Sequence, residues 1–209
     1  WYERRMSNPV DEVVDICRDL LRIDTTNTGD NATSAGERAA AEYVAAKLDE
    51  VGIRSEIHES APGRASLVAR IEGTDPGRDA LLVHGHLDVV PAQPDEWTVH
   101  PFAGEIQDGF LWGRGAIDMK DFDAMVLAVV RDWARTGVRP PRDIVLAFTA
   151  DEEAGGEYGA HFLVDKHRDL LDGCTEAVGE VGGFSFTVSQ DRRLYLIETA
   201  EKGINWLRL

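Results

Sequence analysis

Three polar clusters in this chain could do chemistry together. His84-Gly85-His86-Leu87-Asp88 follows the apolar run Ala80-Leu81-Leu82-Val83, and Asp151-Glu152-Glu153 follows a second run, Ile144-Val145-Leu146-Ala147-Phe148. Glu180 ends a third strand-like segment. Between the first two lies Trp112-Gly113-Arg114-Gly115-Ala116-Ile117-Asp118, a glycine-rich run that ends on an acid. Imidazole and carboxylates without thiolates form a ligand set suited to catalytic zinc, manganese or cobalt. One carboxylate can bridge two metals about 3.5–4 Å apart, the arrangement of two-metal hydrolases. Such a site needs a further carboxylate, off the metal, as general base for water. The adjacent Glu152 and Glu153 can divide those tasks, one facing metal and one facing substrate. A ligating histidine also needs an acceptor for its other ring nitrogen, and Asp88 stands two residues from His86. Taken singly, each signal has a plainer reading: a surface hydrogen bond, a solvated acidic run, a turn. The combination carries the chemistry.

The elements that must position these residues can be read from periodicity. Apolar residues at Val10, Val13, Val14, Cys17, Leu20 and Leu21 follow helical spacing, after an Asn8-Pro9 cap. A polar Thr-, Asn- and Gly-rich loop leads to Ser34, which can cap a second helix over 34–51 stopped by Gly52. Strands are expected over 53–58, 65–71 and 80–83, with a turn at Asp75-Pro76-Gly77. A hairpin turning on Asp108-Gly109 is expected over 105–112. A helix over 118–136 would bury Met125, Val126, Val129, Val130 and Trp133. The strand at 144–148, a helix over 159–169 and strands at 177–180 and 194–199 complete the pattern. Strands alternating with helices indicate an α/β sheet with helices on both faces. In open α/β sheets, sites gather beyond the carboxyl ends of the strands, where the three clusters fall.

The bulk numbers exclude other classes. The chain has 209 residues, 22 of them Lys or Arg and 38 Asp or Glu, for a net charge of -16. A field of that sign repels nucleic acid and anionic membranes and tolerates cations. No apolar stretch approaches the roughly 20 residues of a membrane span, and the first ten residues carry no signal-peptide core. Cys17 and Cys174 give neither a disulfide framework nor a zinc-knuckle spacing. They are expected to be reduced, buried thiols in a cytoplasmic protein. A nucleotide-binding reading would need a phosphate loop after the first strand, and none is present.

Several ordered motifs together resemble the metallopeptidase family of acetylornithine deacetylase, succinyl-diaminopimelate desuccinylase, aminoacylase and glutamate carboxypeptidase. They are His84-Gly85-His86-Leu87-Asp88-Val89-Val90-Pro91; Trp97 with Pro101-Phe102; Asp108-Gly109 with Gly113-Arg114-Gly115-Ala116; Asp118-Met119-Lys120; and Asp151-Glu152-Glu153 with Gly155-Gly156. The resemblance implies a zinc-exopeptidase-like catalytic domain: an α/β three-layer sandwich with a mixed, mostly parallel sheet, here incomplete. It implies two zinc ions, replaceable by cobalt or manganese. His86 then resembles a ligand of the first metal, Asp118 the bridging ligand, Glu153 a ligand of the second metal, and Glu180 the remaining acidic ligand of the first. Glu180 is closer to the deacylase and desuccinylase branch than to the carboxypeptidase branch. Glu152 resembles the general base, and Asp88 the partner of His86. Glu152 would deprotonate a water that attacks the amide carbonyl, then pass the proton to the leaving amine. The substrate class implied is small N-acyl amino acids or short peptides. The rival reading is a non-catalytic metal-binding or interaction module on the same fold, which would be expected to lose Glu152 first.

Two departures from the family pattern stand out. Asp121 replaces a frequent glycine after Lys120, where a first helical turn suits an acid. The family's final histidine ligand lies far downstream, beyond an inserted lid through which relatives dimerise, and neither is in this sequence. Residues 1–200 are accordingly expected to be the N-terminal part of the catalytic domain, and 201–209 the entrance to that lid. This chain alone is expected to hold one metal well, the second poorly, and to be weakly active or inactive. His161 and His167 match no family ligand and are expected at the surface.

Overall fold

The computed structural model describes residues 9–180 and 185–196. The chain forms two compact units, Trp1–Val178 and Gly179–Leu209. The expected lid entrance at 201–209, and the Asn8 cap, lie outside the described residues.

In the first unit, α1 (Pro9–Arg22) and α2 (Arg38–Asp49) precede a pair of strands, β1 (Ser55–Ala61) and β2 (Arg64–Ile71). β3 (Ala80–His86) follows, then the small hairpin of β4 (Glu105–Gln107) and β5 (Phe110–Trp112). Asp108 and Gly109 both take positive φ at its tip, as a tight right-twisted hairpin requires. α3 (Lys120–Thr136), β6 (Ile144–Thr149), α4 (Ala160–Lys166) and β7 (Cys174–Val178) complete the unit. The second unit contains an antiparallel hairpin, β8 (Ser185–Ser189) and β9 (Arg192–Tyr195).

The main sheet has the order β1-β2-β6-β3-β7. β2 runs antiparallel to both its neighbours, whereas β6, β3 and β7 are mutually parallel. Every strand but β2 therefore points the same way, and the mixed α/β sheet matches the expectation. Side chains alternate between its faces. Leu67, Ala69, Leu146 and Phe148 join Leu20, Leu21, Val44, Leu48 and Leu127 of α1, α2 and α3 in the larger core. Val68, Val145 and Ala147 face the other way and meet Leu163 of α4. Helices thus cover both faces.

Several expectations need correction. α3 begins at Lys120 rather than 118, and its buried stripe is Ala124, Leu127, Ala128, Val130 and Arg131. Met125 and Val129 are 48% and 45% exposed. Arg131 occupies the inward face instead, because its guanidinium is held by Glu12 at 2.8 Å and Glu50 at 2.8 Å. Val14 points outward from α1. Ser34 caps no helix: α2 starts at Arg38, and the Ser34 hydroxyl accepts the Thr28 N–H at 3.1 Å. Cys17 is buried, but Cys174, on edge strand β7, is only half-buried; both are free. His161 is exposed as expected, while His167 is half-buried, its ring tilted against that of His58 with centroids 4.3 Å apart and edge-on to that of Phe162 at 5.0 Å.

The end of β6 depends on one close approach. A Cβ at Gly159, ahead of α4, would lie 1.7 Å from the Ala150 carbonyl oxygen. Gly159→Ala must push α4 away from the residue preceding Asp151. It is expected to lower stability by about 1–3 kcal/mol, the usual cost of overpacking. An unchanged urea midpoint would contradict this packing.

Candidate active site

The carboxyl end of β3 delivers His86, buried to 1%. The chain beyond it is pinned by the threonine-rich loop after α1. Thr26 bridges Val89 in parallel, Asn27 N–H donates to the Val89 carbonyl at 2.8 Å, and Thr25 Oγ1 donates to the Leu87 carbonyl at 2.6 Å. This pairing extends the sheet edge past β3 and brings Asn27 beside Asp88.

Asp88 is fully buried. Its Oδ1 accepts the Glu152 N–H at 3.0 Å, and its Oδ2 accepts the Glu153 N–H at 3.1 Å and the Asn27 side-chain amide at 2.8 Å. His86 Nδ1 lies 3.0 Å from the Asp88 carbonyl and 3.4 Å from Oδ1. One residue therefore orients the imidazole, through its carbonyl and its carboxylate, and with that carboxylate caps the turn that carries both glutamates. Open amides at the start of a helical turn need such acceptors.

With Nδ1 so occupied, Nε2 points outward. It lies 3.0 Å from Asp118 Oδ1 and 3.7 Å from Glu152 Oε2, and both acids have side chains at least half exposed. Asp118 sits at the end of the glycine-rich run, joined to Met119 by a cis peptide bond. Lys120, next in line, is wholly buried, and its ammonium donates to the Leu20 carbonyl at 3.0 Å and the Ile23 carbonyl at 2.8 Å. It satisfies the carbonyl end of α1, a position that favours a cation. Asp118 is thereby tied to α1.

The structure thus brings His86, Asp88, Asp118, Glu152 and Glu153 to one end of the sheet. Glu180 is an exposed residue of the second unit, two positions beyond β7. Sequence reasoning missed three participants, Asn27, Arg64 and Glu37, and gave Asp151, though singled out, no part of its own. Asn27 and Arg64 are one step removed, with Glu37 and Asp151 as their partners. Asn27 lay in a segment read only as loop, and Arg64 at the start of a strand read only as apolar. A buried arginine leaves no periodic signature. The available signal was the number of acids expected at the site against the absence of any assigned cation.

The electrostatics move three of these groups away from their ordinary titration ranges. Burial raises the Glu153 carboxyl, and the Asp118 charge adds to it, so that it reaches about 7. Burial alone would depress His86, but the hydrogen bond and charge of Asp88 outweigh it, with Asp123 and Glu152, and push it to about 10. Burial would raise Asp88, yet its bonds from His86, Asn27 and the Glu152 amide hold it below the usual range. A buried imidazole kept basic by carboxylates is a strong nitrogen donor, and the surrounding oxygens are hard donors. The set fits zinc, cobalt or manganese.

Comparison with known proteins identifies the lineage. A family model described as peptidase family M20/M25/M40 matches residues 82–192, the span from β3 to the start of β9. The chain belongs to peptidase family M20/M25/M40. It is 28% identical over 201 residues to the N-fatty-acyl-amino acid synthase/hydrolase PM20D1 of Xenopus tropicalis, covering 92% of this chain and 38% of that protein. It is 34% identical over 129 residues to aminoacylase-1 of Sus scrofa, covering 61% of this chain and 32% of that one. Human carnosine dipeptidase 1 superposes with a TM-score of 0.65 at 25% identity, over 81% of this chain and 38% of that structure. The M20 chain thus spans about a third of the length of these relatives, 32–38%.

The pKa directions set a linkage. Glu153, raised from 4.5, costs stability as pH rises toward 7, and the stability given by protonated His86 is lost as pH rises from 6.5 through about 10. A divalent ion held at Nε2 would take the proton's place and offset the acids. The melting-temperature gain on adding zinc is therefore expected to widen between about pH 6 and about pH 9. A gain independent of pH would contradict this site as the place of binding.

Proposed function

We propose that the whole protein is a metal-dependent hydrolase of amide bonds in small N-acyl amino acids or short peptides. The observation that carries this is the buried His86, oriented by Asp88 and presenting Nε2 to the carboxylates of Asp118 and Glu152. In this reading His86, Asp118 and Glu180 would hold one ion, and Asp118 and Glu153 the other. Glu180 is included because it follows β7, the parallel neighbour of β3, by two residues. Residues 1–200 form the N-terminal part of the catalytic domain and 201–209 lead into a lid. Zinc is the expected metal, the protein is placed in the cytoplasm, and the lid would serve any homodimer. Membership of the M20 family, and likeness to an aminoacylase and a dipeptidase, support the reaction class.

When bound, the two ions would supply Lewis-acid polarisation of the amide carbonyl and acidify the attacking water. The chain's own groups do the rest. Glu152, the exposed member of the pair, takes the proton from water as the oxygen attacks the carbonyl carbon. It then delivers that proton to the nitrogen as the C–N bond breaks, leaving a carboxylate and an amine. Glu153, less exposed and anchored by the same Asp88, would serve as the metal ligand of the pair. Asp88 keeps the Nδ1 proton of His86 in place, so that Nε2 is the donor atom.

Glu152→Gln in the full-length protein is expected to lower kcat by about 10²–10⁴-fold on an N-acyl amino acid and dipeptide panel, with zinc content unchanged. Undiminished turnover would remove Glu152 from the role of base. A wild-type protein that binds zinc but hydrolyses nothing would favour the non-catalytic reading.

A further inference from the structure

Behind the site runs a buried polar chain that the proposed reaction does not use directly. Asn27 is 4% exposed, Asp151 3%, Arg64 2% and Glu37 fully buried. The Asn27 side-chain amide donates one hydrogen to Asp88 Oδ2 at 2.8 Å and the other to Asp151 Oδ1 at 3.1 Å. Its oxygen accepts the Gly29 N–H at 3.0 Å and the Ser34 hydroxyl at 3.3 Å. Both donors and both lone pairs are used, which fixes which way the amide faces.

Asp151 also accepts Arg64 Nη2 at Oδ1 and the Tyr158 N–H at Oδ2, 3.0 Å away. It holds a left-handed backbone, φ 65, at the entry to the turn that bears Glu152 and Glu153. Arg64 reaches the other way to Glu37 Oε1 at 2.8 Å, and Glu37 is itself fixed by its N–H bond to the Gly63 carbonyl at 2.9 Å. The Arg64 guanidinium lies over the Tyr158 ring, 5.7 Å from its centre.

Two carboxylates, Asp88 and Asp151, therefore flank the glutamate turn and share the Asn27 amide. Only a group with two N–H donors and no charge can bridge them without placing a third charge there. Only a fork of donors can span Asp151 and Glu37. We propose that Asn27 and Arg64 are positioning residues that hold the 151–153 turn against Asp88 and so set where Glu152 and Glu153 stand. This rests on the hydrolase reading for its catalytic consequence, but not for its structural one.

The discriminating substitutions are Asn27→Asp, which is isosteric but turns a double donor into a third acid, and Arg64→Met with Arg64→Lys as its conservative counterpart. In the full-length protein, Asn27→Asp and Arg64→Met are expected to lower kcat by roughly 10–100-fold, the usual cost of losing a group that orients a ligand. KM should stay near wild type. Arg64→Lys, which keeps the charge and loses the fork, should recover part of the loss. Hydrogen exchange gives a second readout that needs no turnover: the Glu152 and Glu153 amides should lose protection in Asn27→Asp and Arg64→Met. If Asn27→Asp does not fold, the Arg64 pair decides through the same two readouts. Wild-type kcat and wild-type protection of these amides in the folded variants would overturn the proposal. A wild-type protein without turnover would instead defeat the hydrolase reading, and exchange alone would then judge the positioning role.

Discussion

The site depends on a single buried carboxylate. Asp88 is removed from water completely, and an ionised carboxylate so placed costs several kcal/mol unless it is well bonded. It meets that cost with contacts from the His86 ring, the Asn27 amide and the backbone of Glu152 and Glu153. Those contacts come from three segments distant in sequence: the loop after α1, the end of β3 and the turn after β6. Because the acid is intolerant of losing any of them, the segments are locked to one another. Orientation of the histidine and placement of the glutamates are then one event.

The sheet makes that convergence possible. β3 and β6 are parallel neighbours, with His86 opposite Thr149, so their carboxyl ends open on the same edge. Residues just past each end face a common space. α3 and Lys120 bring Asp118 to it from the helical layer, with α1 as the anchor. Further back, Arg64 compensates two acids, and removal of one partner from such a buried group typically costs about 3–5 kcal/mol. Negative charge thus accumulates at the mouth, where the proposed cation would bind.

Much of this was legible in the sequence. The apolar runs before His86 and Asp151 revealed the two central strands, because buried parallel strands are continuously apolar. The ordered motifs identified His86, Asp88, Asp118, Glu152 and Glu153. The rest was hidden for identifiable reasons. Arg64 and Arg131 are buried through ion pairs with acids far away in the chain, and on α3, where Arg131 turns inward, periodicity assigned Met125 and Val129 to the core in error. Ser34 had the right type for a cap but was drawn into the bonds of the 27–34 loop. Asn27 was one polar residue among many, and its importance comes only from the two acids folded against it.

The central claim is that these residues form a cation-dependent hydrolytic site. Titrating zinc into metal-stripped full-length protein, while following hydrolysis of an N-acyl amino acid or dipeptide, tests it most directly. The account predicts that turnover is absent without metal, rises with added zinc and saturates near about two ions per chain, and that His86→Ala weakens zinc binding and abolishes the rise. Full turnover in excess chelator, or an unaltered titration in His86→Ala, would contradict it.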